Sequence, residues 1–393
     1  MRLLHVIGSM NPQNGGPAEV IRCLGNKLSE NGDTVEIVCL DDPDSEFLSK
    51  ETMKIHALGR GKGQWNYHPQ LLPWLNKNLS RFDAIIQHGL WQYPGYALSK
   101  AASRPKMSPY FIFPHGMLDP WFQRAPERRL KAVRNWLYWK FIEQRVVQNA
   151  SALLFTCQEE MRLAAETFRP YRPKRQVNVG FGVPHPPSYN SEMGKAFKAA
   201  CPGVIGNPYF LFLGRIHPKK GIDLLLEAYS MLCRSHSPAS LPKIVIAGPG
   251  METSYGQNIK KSASKACPSD SVFWPGMLLG NQKWGAFYNC EASVLTSHQE
   301  NFGIAVVEAL ACGRPVLISN QVNIWREVKA SGAALVQEDS VEGAWQLLKN
   351  WISLPADTKL KMAVGAKTCF QSDFSVESAT RKLLATLNSP SNC

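Results

Sequence analysis

Long apolar runs are missing from this chain: no stretch approaches the roughly 18 residues needed to cross a bilayer, so no transmembrane span is expected. The opening MRLLHVIGSM carries one basic residue and a short apolar stretch, and reads as a first buried strand rather than a signal peptide. The ten cysteines, at 23, 39, 157, 201, 233, 267, 290, 312, 369 and 393, form no C-x-x-C pair, and no His cluster has metal spacing. That scatter fits reduced thiols in a cytoplasmic protein. The only Asp-x-Asp pattern, Asp42-Pro43-Asp44, lies in a polar stretch and reads as a plain turn, so no metal or other cofactor is expected. Acidic residues are also short: 31 against 44 Lys and Arg leave a net charge of +13. Such a balance favours an anionic partner, whether nucleic acid, a phosphorylated substrate or an anionic membrane. Nucleic acid is not supported, because neither a recognition helix nor an aromatic RNP-like strand is visible.

At 393 residues, 44% hydrophobic, the chain suits two globular domains. Short β-branched or aromatic runs alternate with helical stretches, the rhythm of a parallel sheet built from βαβ units. Strands are predicted at Leu3–Ile7, Thr34–Leu40, Ala84–Gln87, Tyr110–Phe113 and Ala152–Thr156, with a helix over Pro17–Ser29. The pattern restarts at Tyr209–Leu213 and continues through Lys243–Ala247, Val272–Trp274, Ala292–Leu295, Pro315–Ile318 and Ala333–Val336. Gly180–Pro208, rich in Pro, Gly, Ser and Asn, is the linker candidate. The expected division is a first domain over 1–185, a linker over 186–207, a second domain over 208–370 and a final segment over 371–393.

Ligands of open parallel sheets bind beyond the carboxyl ends of the strands, so post-strand segments are where chemistry should lie. Gly8–Gly16 (GSMNPQNGG) follows the first strand and leads into a helix opened by Pro17, with Glu19 in its first turn; Gly15 and Gly16 let backbone amides approach a phosphate. An ordinary flexible connection would look the same. GRIHPKKG, 214–221, offers Arg215 and Lys220 to one anionic group between two glycines. In HQENFGIAVVEALACGRPV, 298–316, Glu300 precedes a helix whose start is marked by Phe302 and Gly303 and which contains Glu308. Helical continuation would put both carboxylates on roughly one face. Sugar or ribose hydroxyls would satisfy them; a structural Arg or Lys, with Arg314 nearby, is the plainer partner. Glycoside hydrolysis also uses two carboxylates, but Glu308 inside a helix is poorly placed for it. PHGMLDPW, 114–121, and HGLW, 88–91, place His115 and His88 at strand ends, where an imidazole can bond a hydroxyl or be merely structural.

Together the Gly15-Gly16 loop, PHGMLDPW, GRIHPKKG and ENFGIAVVEALACGRPV resemble the retaining group 1 glycosyltransferases, also called family four, over nearly the whole chain. HGLWQYP with PHGMLDPW further resembles a bacterial branch of exopolysaccharide and O-antigen assembly. The resemblance implies an α/β protein of GT-B architecture: two Rossmann-like domains facing a central cleft, an acceptor-binding amino half, a donor-binding carboxyl half, and a C-terminal helix crossing back, here FSVESATRKLLATL. It implies transfer of a hexose from a UDP- or GDP-sugar to a glycan or polyprenyl-pyrophosphate-linked saccharide. Arg215 and Lys220 would take the donor diphosphate, Glu308 the ribose, and Glu300 the transferred sugar with the backbone of Asn301, Phe302 and Gly303. His115 would meet the sugar near its anomeric centre, Gly16 would offer amides to the diphosphate, and the base would sit near Gly276–Leu279. His88 and Trp91 are acceptor-side candidates.

The chemistry asks for the same groups. Negative charge grows on the departing diphosphate, and Arg215, Lys220 and a helix amino end can stabilise it without a divalent cation. Arg124–Arg145 carries Arg128, Arg129, Lys131, Arg134, Lys140 and Arg145 among Trp136, Tyr138, Trp139 and Phe141. The segment suits a weak peripheral contact with an anionic membrane, although its aromatics are expected to pack on the first sheet. A nucleotide-sugar epimerase of the same architecture is the rival reading.

Overall fold

A computed structural model describes residues 1–105, 107–124, 129–237 and 240–389. Two compact units are present, Met1–Gly182 together with the stretch from Val376, and Val183–Ser375.

The first unit is a seven-stranded parallel sheet in the order β3-β2-β1-β4-β5-β6-β7. Its strands are β1 (Arg2–Val6), β2 (Thr34–Cys39), β3 (Lys54–Ala57), β4 (Ala84–His88), β5 (Tyr110–Phe113), β6 (Ala152–Phe155) and β7 (Gln176–Asn178). The central strands are buried on both faces, as helices covering both sides of a parallel sheet require. Those helices are α1 (Gly16–Glu30), α2 (Leu71–Asn78), α3 (Tyr93–Ala102), α4 (Trp121–Arg124), α5 (Arg129–Tyr138), α6 (Gln144–Asn149) and α7 (Gln158–Thr167). A π-helical turn, Trp139–Glu143, joins α5 to α6.

The second unit repeats the pattern with six parallel strands in the order β10-β9-β8-β11-β12-β13. They are β8 (Tyr209–Leu213), β9 (Lys243–Ala247), β10 (Val272–Gly276), β11 (Ala292–Leu295), β12 (Val316–Ser319) and β13 (Ala334–Gln337). Its helices are α8 (Ser191–Ala200), α9 (Ile222–Ser235), α10 (Ser254–Ala266), α11 (Gly280–Asn289), α12 (Ile304–Ala311), α13 (Trp325–Ala330), α14 (Val341–Ser353) and α15 (Ala356–Cys369). In each sheet the order reverses once, between β1 and β4 and between β8 and β11, which marks the expected binding edge.

Residues 186–207 are not a bare linker. Asn190 caps α8 by accepting from Met193 N at 3.1 Å, and Met193 and Phe197 are buried against α11. So closely do α8 and α11 pack that a Cβ on Gly285 would lie 2.0 Å from Met193 O. The final helix, α16 (Val376–Asn388), belongs to the first unit, where it packs on α1 and Lys27 meets Glu377 at 3.5 Å. It begins two residues into the expected helical stretch and five into the expected final segment, because Phe370 and Phe374 stay buried in the second unit, Phe374 against Phe302.

Candidate active site

In the second unit the site is built from the loops that follow β8 and β11. After β8, His217 caps a short 3-10 turn, Pro218–Lys220, and Gly221 takes a left-handed φ of 62° to start α9. The loop after β11 is sewn to this turn: Thr296 Oγ1 donates to Gly221 O at 2.7 Å, Ser297 Oγ to Lys219 O at 3.1 Å and His298 N to Lys219 O at 2.9 Å. The turn after β9 also presses close, since a Cβ on Gly248 would lie 2.0 Å from Gly214 O.

These seams bring Lys220 to Glu300, and the two form an ion pair. Arg215 is exposed and makes no ion pair with the described residues, and its charge with those of Lys219 and Lys220 adds to desolvation in lowering the His217 pKa. Glu308 is paired as well, but not with Arg314. Lys283 Nζ of α11 lies 2.5 Å from Glu308 Oε1, while Arg314 donates to Tyr288 O. Glu300 is not on a helical continuation of α12. It forms an isolated bridge with Val322, so the shared-face argument does not apply, and Gly303, at φ 79°, starts the helix. Asn301 accepts from Asn323 Nδ2 at 3.4 Å, and Phe302 is buried. Near the expected base site Leu278 is buried, while Met277 and Leu279 are exposed.

In the first unit three imidazoles form a chain that sequence reading saw only in part. His5 Nδ1 lies 2.8 Å from His88 Nε2, and His88 Nδ1 lies 2.9 Å from His115 Nε2. His88 is therefore not a substrate contact: it is buried, and both ring nitrogens are taken by other histidines. His115 is half-buried at a φ of 52°, its ring near-parallel to Phe113 and His88. Burial lowers His5 to about 4 and His115 to about 3, and takes His88 well below the usual histidine value, the two neighbouring rings lowering it further. The rings are neutral at physiological pH.

The glycine loop is held by residues the sequence did not single out. Asp41 accepts from Ser9 Oγ at 2.6 Å and Met10 N at 2.7 Å, and Arg22 Nη2 donates to Met10 O at 2.7 Å. Gly15 donates its own N–H to Pro12 O, so the amides left for a ligand begin with Gly16 at the start of α1, which has no side-chain cap. The Asp42 side chain accepts from Asp44 N at 3.2 Å, closing a turn. Trp91 packs on Tyr138, Trp139 and Phe168, and with Trp65, Met117, Arg134 and Tyr138 it lines a cavity of about 480 Å³.

Beneath Trp91 lies Glu143, 1% exposed, whose carboxyl accepts from Trp91 N at 3.4 Å and is pushed up by burial to about 8. Its folded pKa is raised, so between its ordinary 4.5 and about 8 the unfolded chain releases a proton that the folded one keeps. Stability is therefore lost as pH rises through that window. Glu143→Gln removes the term: urea midpoints should show the variant gaining on wild type from pH 5 to pH 8, by up to about 1.4 kcal/mol per unit. An equal difference at both pH values would contradict the assignment.

The basic aromatic segment divides. Trp139 is buried, as expected of the aromatics, but Leu130, Val133, Trp136, Leu137 and Phe141 are exposed. Their spacing sets one apolar stripe along α5 and the following turn, with Arg129, Lys131, Arg134 and Lys140 around it. Arg128 lies outside the described residues. Among the described residues no helix is long and apolar enough to cross a membrane, and no group of three or more His, Cys, Asp or Glu could hold a metal ion.

Residues 204–368 match the family model of the group 1 glycosyl transferases, and residues 15–182 match that of a glycosyl transferase 4-like domain. A GDP-mannose:cellobiosyl-diphosphopolyprenol alpha-mannosyltransferase of Xanthomonas campestris is 24% identical over 355 residues, 88% of this chain and 85% of that protein. The O-antigen chain mannosyltransferase C of Escherichia coli is 27% identical over 183 residues, 46% of this chain and 43% of that one. Among solved structures, Anabaena Alr3699/HepE in complex with UDP superposes with a TM-score of 0.76 at 16% identity, covering 99% of this chain and 100% of that one. Sucrose-phosphate synthase of Thermosynechococcus elongatus gives 0.71 at 16%, with 98% of each chain covered. The last two show the fold, and the two family models between them reach both units: the chain belongs to the group 1 glycosyltransferases and has their GT-B fold.

Proposed function

We propose that the chain transfers a hexose, with retention of configuration and without a metal, from a UDP- or GDP-sugar to a polyprenyl-diphosphate-linked saccharide or related glycan in cell-surface polysaccharide synthesis. The observation that carries this reading is the pair of lysine–carboxylate contacts at the strand ends of the second unit, Lys220 with Glu300 and Lys283 with Glu308, with Arg215 exposed on the same loop as Lys220. An ammonium has three donors, so Lys220 can hold Glu300 and a diphosphate oxygen together. Glu300 is then held in place to accept from a sugar hydroxyl, and Glu308 does the same for the ribose. Arg215, Lys220 and the amino end of α12 stabilise the charge that develops on the leaving diphosphate. In the first unit, His115 serves a saccharide oxygen, Gly16 and the start of α1 favour phosphate, and the cavity at Trp91 takes the acceptor glycan against its aromatic walls.

The Xanthomonas relative acts from GDP-mannose on a diphosphopolyprenol-linked sugar, which gives that donor and that acceptor class first place in the test. A thermal-shift screen against UDP-, GDP- and ADP-sugars is expected to raise the melting temperature with a UDP- or GDP-sugar. The stabilising donor is then used for transfer in excess EDTA, with product anomericity read by NMR. Stabilisation by none of the three, an inverted product, or activity that returns only with a divalent cation each overturns part of the reading.

The exposed stripe on α5 supports a weak cytoplasmic-face membrane contact, since its flanking cations suit anionic headgroups. Sedimentation with vesicles is expected to rise with anionic lipid content and to fall on Trp136→Glu with Phe141→Glu. Binding indifferent to both lipid charge and these substitutions would remove the stripe from the account.

A further inference from the structure

The histidine chain holds more information than its distances. Three neutral imidazoles carry three ring N–H groups. Each of the two N···N contacts uses one of them, so the third must sit at one end, on His115 Nδ1 or on His5 Nε2. The proton direction is shared along the chain: either all three rings are Nδ1–H tautomers or all three are Nε2–H.

The two ends are unlike. His115 is half-buried and can meet water or a ligand with either a proton or a lone pair. His5 is 0% exposed in the middle of β1, and its Nε2 has no hydrogen-bond partner among the described residues. A buried N–H without an acceptor is the costlier orphan, so the choice falls at His5 and the bare nitrogen belongs there. Among the described residues no carboxylate bonds His5 Nε2. Glu160, next to the His115 turn, accepts from Gly116 N at 2.5 Å, Thr156 N at 2.8 Å and Thr156 Oγ1 at 2.6 Å.

We infer that His5 is a positioning residue that acts through His88 to hold His115 as its Nδ1–H tautomer, so that His115 presents a hydrogen-bond donor to an oxygen of the bound saccharide. His5 donates from Nδ1 to His88 Nε2, and His88 donates from Nδ1 to His115 Nε2. His115 is thereby fixed as a donor, and accepting a proton from a hydroxyl would require every ring in the chain to change.

The tautomer assignment is independent of the transferase reading; only the kinetic consequence rests on it. Long-range 1H–15N NMR of histidine-labelled protein distinguishes the tautomers directly, with His5→Phe and His115→Ala spectra for assignment. Nδ1–H signatures at His5, His88 and His115 are expected, and Nε2–H at all three overturns the inference even if no variant folds. In His5→Phe the His115 signals should move toward a tautomer mixture, and kcat should fall about tenfold, the scale of losing an orienting partner, with donor KM unchanged. His5→Asn, whose amide can donate from the Nδ1 position, should restore most of both. An unchanged His115 tautomer in a folded His5→Phe protein also overturns it. An inactive wild-type protein with Nδ1–H histidines would instead count against the transferase reading.

Discussion

Lys220→Ala is expected to lower kcat for sugar transfer by about two to three orders of magnitude while leaving the protein folded. On the proposed reading the size follows from removing one preorganised cation from the place where leaving-group charge would develop, a change felt in the transition state more than in the bound donor. Lys219 cannot take over: its ammonium lies 3.1 Å from Gln299 Oε1, on the neighbouring residue of the opposite loop. The fold is expected to survive because the lost ion pair is only partly buried, with side-chain exposures of 20% and 19%, so Glu300 remains solvated when its partner is gone. Lys219→Ala is the matched control and should stay within a few-fold of wild type. Turnover, circular dichroism and donor-induced thermal shift on the two variants decide the matter. Near-normal turnover by Lys220→Ala would remove the diphosphate assignment.

How much of this was legible in the sequence follows from what each element presents to it. Strands buried on both faces show as continuous apolar runs, so the central strands of both sheets were found within a residue or two. The edge strands β3 and β7 were missed because Lys54–Ala57 and Gln176–Asn178 are short and half-exposed. Helix α8 was missed under its composition, although Asn190 before Met193 and Phe197 four residues on was a readable cap and face. The cations of GRIHPKKG stood out because their glycines punctuate them. Lys283 did not, for its contact with Glu308 spans 25 positions and depends on how α11 lies beside α12. His5 is the clearest case: one histidine within an apolar strand reads as core, and only strand order brings it beside β4 and so to His88. Asp41 was likewise passed over for the louder Asp42-Pro43-Asp44 next to it.

Gly221→Ala should be the most damaging single methyl group in the second unit, destabilising it by about 3 kcal/mol or more. Two costs add. The residue sits at φ 62°, ψ 31°, where an L side chain is strained, and its Cβ would lie 1.9 Å from Thr296 O and 2.8 Å from Thr296 C. Those are backbone atoms at the end of β11, and Thr296 is 2% exposed and bonded through Oγ1 to Gly221 O, so neither side can step aside. Gly206→Ala separates the two costs: at φ 80° with nothing within 4 Å of the added carbon, it should show backbone strain alone, about 1 kcal/mol. Relief of the clash must part the β8 and β11 loops, which are the loops that pair Lys220 with Glu300. Activity should therefore fall with stability in Gly221→Ala and stay near wild type in Gly206→Ala. Equal midpoints for the two variants in urea would mean that the loops are not held together at Gly221, and that Lys220 and Glu300 are positioned by something other than this seam.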